Sequence, residues 1–217
     1  MKILMLGNSY TYFFDMPQIL QGLFDANGVD AKVDSITAGG RELTQNLDEN
    51  DALHAQIVQA CADNAYDVLV LQEQSSKAME YYREFLRGVS GCISLVSPAR
   101  TVLYATWGRK EGSDLLAHFG WTNRTMTEGL AASYDAAARK CGATCAHVGK
   151  CFAAIREKGL DVELYDPDLS HPSYAGSCVA AMALYVQIVG KAPDVLSSLA
   201  LDAELAGALC RIVQDTQ

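Results

Sequence analysis

After Lys2, Ile3-Leu4-Met5-Leu6 is an unbroken apolar run, and Gly7-Asn8-Ser9-Tyr10-Thr11 follows it at once. A continuous apolar strand, unlike an alternating one, belongs to a sheet covered on both faces. Further strands are read at Ala31–Thr37, Asp67–Leu71, Thr101–Thr106 and Thr144–Val148. Helical patterns fill the intervals. The first is expected to be capped by Asp15, with Pro17 in its first turn and Gln18 at capping-box spacing, and to stop at Asn27-Gly28. Others are expected over 51–63, 77–91 and 125–141. A short helix, a polar turn at 165–172, an Ala-rich helix at 173–190 and a C-terminal helix complete the chain. The stretch 107–124 has no clear period and reads as a loop or lid. Strands alternating with helices predict an α/β fold on a parallel five-stranded sheet. With no internal repeat or linker, residues 1–217 read as a single domain.

The 217 residues carry 17 Lys+Arg against 26 Asp+Glu, a formal charge of −9, and half are apolar. A chain of this length buries roughly 70% of its unfolded surface and needs no staple. The acid excess argues against a nucleic-acid partner or an anionic membrane surface, both of which require clustered Lys and Arg. No run of about 18 apolar residues, the length of a membrane span, exists. The short apolar start is no signal-peptide core, so a cytoplasmic location is expected, although a secreted chain trimmed of its leader would look the same.

Seven cysteines (61, 92, 141, 145, 151, 178 and 210) are an odd set without framework spacing, and they read as reduced, buried thiols. Cys141-x3-Cys145 with Cys151 is a weak zinc signal, lacking a second pair. Neither a metal nor a cofactor is implied.

In parallel α/β sheets, ligands bind at the carboxyl ends of the strands. There the first loop offers Ser9 on a tight turn, the second Gly39-Gly40, and the third Gln72-Glu73-Gln74-Ser75-Ser76. Far downstream, Asp168 and His171 stand three residues apart in a turn, close enough for the carboxylate to orient the imidazole. Nucleophile, base, orienter and oxyanion donors are thus all available at one edge of the sheet. Such loop residues also occur in non-catalytic domains, and spacing alone leaves both readings open.

Five blocks in order make the chain similar to the SGNH (GDSL-like) hydrolase superfamily, in its bacterial branch with a GNSxT first block. They are Ile3–Thr11, Thr37–Gly40, Val68–Ser75, Tyr104–Lys110 and the run from Asp168 through His171 to Gly176. The resemblance implies a three-layer α/β/α, flavodoxin-like fold and a catalytic triad of Ser9, His171 and Asp168. It implies hydrolysis of a small-acyl ester, an O-acetyl group on a carbohydrate, through an acyl-enzyme. The oxyanion would meet the N–H of Ser9, an N–H at Gly39 or Gly40, and an amide of the third block. That block normally supplies Asn; here Gln74 is preferred and Gln72 is the substitute. Leu169 stands where the family has Gly after the Asp, which makes Asp166 the fallback orienter.

Competing readings are a non-catalytic flavodoxin-like nucleotide- or phosphate-binding module and a degenerate glycan-binding member. Trp107, Arg109 and Lys110 are candidates to line the substrate pocket. Arg41 is expected either to meet an anionic substrate or to pair with Glu42 or Asp48. His54 and His147 are read as structural, while His118 falls in the lid. Ser75 and Ser76 lack the Gly-Asn turn that precedes Ser9.

Overall fold

The computed structural model describes all 217 residues. Its sheet is parallel throughout, in the order β2-β1-β3-β4-β5, with β1 at Lys2–Gly7, β2 at Lys32–Thr37, β3 at Val68–Leu71, β4 at Arg100–Ala105 and β5 at Thr144–His147. The order reverses direction between β1 and β3, and that switch point opens the crevice where ligands bind in such sheets.

The pleat of β1 divides the core. Ile3 and Met5 pack on one face with helices α2 (Met16–Ala26), α8 (Val148–Glu157), α9 (Tyr174–Val189) and α10 (Ala203–Thr216). Leu4 and Leu6 pack on the other with α3 (Ala52–Asp63), α5 (Tyr82–Val96) and α7 (Asn123–Cys141). Both layers are apolar, which is why the sequence of β1 does not alternate. Helix α9 is buried nearly all round, as its Ala-rich composition requires for close packing against α2.

Three expectations need correction. Asp15 does not cap α2, because it sits in the left-handed region (φ 54°) with no side-chain bond to the helix. Residues 77–91 are not one helix: α4 (Lys77–Glu80) stops at Tyr81 (ψ 55°) and α5 starts anew. The stretch 107–124 is not all loop, since α6 (Asp114–Phe119) forms within it and closes on Gly120.

No helix is long and apolar enough to cross a membrane. All seven cysteines are free; Cys92, Cys151, Cys178 and Cys210 are buried, and the other three are half-buried.

Candidate active site

The first βα turn folds as it does because Gly7 has no side chain. A Cβ there would lie 2.4 Å from Thr11 Oγ1 and 2.7 Å from Gln72 Oε1. That close approach lets Gln72 Oε1 accept the Asn8 N–H at 3.0 Å and the Thr11 hydroxyl at 2.8 Å. Asn8 in turn caps the short helix α1 (Ser9–Tyr12), its Oδ1 accepting the Tyr10 N–H, while its Nδ2 donates to Arg41 O across the second loop. Loops one, two and three are therefore laced together around Ser9.

Ser9 Oγ lies 2.8 Å from His171 Nε2, and His171 Nδ1 contacts Asp168 Oδ2. The other Asp168 oxygen accepts the N–H groups of Ser170 and His171, both at 2.9 Å. Partial burial pushes the Asp168 carboxyl up, but the His171 ring and these two N–H groups outweigh it, leaving the pKa below the usual carboxylate value. Asp166 makes no side-chain contact with His171; its backbone N–H donates to His171 O instead. Leu169, in the family's glycine position, keeps the left-handed turn at φ 62°. That conformation costs a side-chain-bearing residue roughly 1–2 kcal/mol.

Aromatic rings frame the imidazole. Phe13 stacks on it, Tyr10 meets it edge-on, and Tyr10 heads a stack running through Trp107 to Phe152. Trp107 is wholly buried, its Nε1 donating to Ser170 O at 3.0 Å, so it supports the His171 loop from within and does not line a pocket. The Tyr10 hydroxyl pairs with Ser170 Oγ at 2.6 Å. Phe13, Tyr10 and Ser170 escaped sequence reasoning. The aromatic run that follows Ser9 was the only signal for Tyr10 and Phe13, and Ser170 had none.

The two candidate amides differ sharply. Gln72 is 1% exposed, and its carboxamide is engaged at both ends, Nε2 donating to Glu73 O. Gln74 is half-buried, and its Nε2 has no acceptor within the chain. Gly39 and Gly40 are exposed and neither N–H is bonded; Gly40 takes φ 66°, which a side chain would resist.

Arg41 is buried, and its guanidinium binds Asn46, Gln45 O and Asp51, not Glu42, Asp48 or an open site. Arg109 is half-buried, with Nε and Nη2 each 3.4 Å from Ser75 Oγ and no carboxylate partner. Lys110 pairs with Glu163. Ser75 and Ser76 are buried, and His54 bonds Asn46 O. His147 lies between Cys145, on its Nδ1 side, and Asp135, on its Nε2 side. One ligand atom from each of the three lies within 4.8 Å of the others. A cavity of about 730 Å³ between α7 and α8, lined by Arg124, Glu128, Asp135 and Arg156, contains none of the residues around Ser9.

Among solved structures, a Slackia heliotrinireducens protein described as a candidate SGNH hydrolase is 32% identical with a TM-score of 0.76, covering 87% of this chain and 98% of that one. A DUF4886 family protein from Bacteroides uniformis shares the fold at 16% identity and a TM-score of 0.80, covering 99% and 93%. So does a catalytic mutant of Axe2, an acetylxylan esterase from Geobacillus stearothermophilus, at 16% identity and a TM-score of 0.63, covering 87% and 94%. No family model and no curated protein matches the chain. With 32% identity along 98% of the Slackia protein, this chain belongs to the SGNH hydrolase superfamily.

Proposed function

We propose that Ser9, His171 and Asp168 are the nucleophile, the base and the orienter of this hydrolase. The observation that carries the reading is the unbroken chain of contacts from Ser9 Oγ through both imidazole nitrogens to Asp168 Oδ2. His171 Nε2 takes the Ser9 proton as Oγ attacks the ester carbonyl. The imidazolium then protonates the leaving alkoxide, and water, activated by the same nitrogen, releases the acid from the acyl-enzyme. Asp168 stays ionised and stabilises the imidazolium, in keeping with its lowered pKa. The N–H of Ser9, the free N–H groups at Gly39 and Gly40 and the unengaged Gln74 amide meet the developing oxyanion.

The substrate is a small-acyl ester, an O-acetyl group on a carbohydrate. The fold shared with an acetylxylan esterase supports this, as do Tyr12 and Phe14, which stand 40% and 47% exposed beside the nucleophile as flat apolar faces suited to a sugar ring. Arg109 borders the site beyond Ser75 and faces polar groups of the leaving alcohol.

An esterase panel from acetyl to octanoyl, on aryl esters and acetylated sugars, tests the reading. Acetyl esters are expected to turn over fastest, with all activity lost in Ser9→Ala. Full activity of Ser9→Ala on p-nitrophenyl acetate would overturn the assignment.

A further inference from the structure

Glu73 stands outside the triad, yet it is the only buried acidic residue of the chain, 2% exposed. Its Oε1 accepts the Gln74 N–H at 2.7 Å, and both its oxygens face the Leu43 N–H, at 3.2 and 3.3 Å. These donors belong to different loops. Gln74 follows β3; Leu43 opens the 3₁₀ turn Leu43–Leu47, just past Gly39-Gly40. The Glu73 backbone is itself fixed, its N–H donating to the Tyr134 hydroxyl at 3.0 Å and its carbonyl accepting from Gln72 Nε2. One carboxylate thus spans the two loops that carry the proposed oxyanion donors.

We propose that Glu73, as its carboxylate, is a positioning residue that holds the Gln74 amide and the Gly39-Gly40 turn at the spacing the oxyanion requires. The inference rests on the assignment of those donors above. A neutral acid would turn one oxygen into a donor facing N–H donors, and the clamp would slacken.

Burial raises this carboxyl to about 7, against the pull of the Gln74 and Leu43 N–H groups. The other groups facing it are Glu42, which raises the value, Lys77, which lowers it and pairs with Glu42 at 3.3 Å, Tyr134, and Cys92 with the neighbouring Arg41. Because the folded pKa lies above the unfolded one, about 4.3, the native state binds this proton more tightly. Stability therefore falls as pH rises from about 4.3 towards 7, while the clamp tightens. Ionisation that weakens the fold but serves the site separates positioning from mere support.

The test is Glu73→Gln, which fixes the neutral state, with kcat and KM for p-nitrophenyl acetate measured from pH 5 to 9 and Tm at both ends. At pH 8 the expected result is a fall in kcat of about tenfold or more, with KM within about threefold and Tm equal to or above wild type. The acid limb of kcat should be one proton less steep than in wild type. Wild-type kcat, or a kcat loss accompanied by a matching fall in Tm at pH 8, would overturn the proposal. If Glu73→Gln does not fold, the wild-type limb decides: two protons support the clamp and one contradicts it. Ser9→Ala, assayed alongside, separates failure of this inference from failure of the triad reading.

Discussion

The Phe13 ring lies flat on His171, with centroids 4.0 Å apart and planes 9° from parallel. The chain reaches this position through two successive residues in the left-handed region, Phe14 (φ 52°) and Asp15 (φ 54°). Strain of this kind, directly after the nucleophile helix, persists only where the surrounding packing over-determines it. In the proposed mechanism, the stack fixes the plane in which His171 would receive the Ser9 proton. Phe13→Ala removes a contact worth about 0.5–1.5 kcal/mol, so kcat should fall about 2- to 10-fold with little change in KM, as steady-state kinetics will show.

Asp168 and Asp166 are separable by kinetics. Asp168→Asn should lower kcat by about 10⁴-fold, the cost of a wrong imidazole tautomer, while Asp166→Asn stays near normal. A near-normal Asp168→Asn beside a dead Asp166→Asn would reverse the assignment.

The lowered Asp168 pKa also has a stability signature. The contribution is present in full above the unfolded carboxylate pKa, about 3.9, and is lost as pH falls through the lower folded value. Thermal melts from pH 6 down to pH 2 should therefore show wild type losing its advantage over Asp168→Asn below about pH 4. The carboxylate is 44% exposed, so solvent screening keeps the effect small.

Gln72 and Gln74 should fail in different ways. Gln72→Ala leaves the buried Asn8 N–H without its acceptor, a cost of about 1–3 kcal/mol, and Tm should drop together with activity. Gln74→Ala should leave Tm unchanged and lower kcat by about 10²–10³-fold, as loss of one oxyanion donor does. Unchanged kcat in Gln74→Ala would remove it from the hole.

Gly7→Ala should be damaging although the substitution is small. The added methyl meets Thr11 Oγ1 and Gln72 Oε1 well inside contact distance, and overpacking of this kind costs about 1–3 kcal/mol. Denaturant melts will measure it. A neutral result would show that the first loop yields freely.

Much of this was legible in the chain. The unbroken apolar run Ile3–Leu6 signalled a strand buried on both faces, and its abrupt end at Gly7-Asn8-Ser9 marked a loop at the sheet's carboxyl edge. Other features depended on long-range geometry. Arg41 finds Asp51, ten residues on, because the 3₁₀ turn Leu43–Leu47 folds that carboxylate back over it. Trp107 reads as a lid residue by position, but the parallel stack with Tyr10 and Phe152 pulls it inside. Nothing in Gln72-Glu73-Gln74 says which side chain turns inward. That choice is made by the Asn8 and Leu43 N–H groups, which arrive from other loops.

Reaction with a fluorophosphonate followed by peptide mapping tests the central claim most directly, because it traps the activated nucleophile where it stands. The account predicts one adduct, on Ser9, absent from Ser9→Ala and strongly slowed in His171→Ala. An adduct on any other residue, or undiminished labelling of Ser9→Ala, would contradict it.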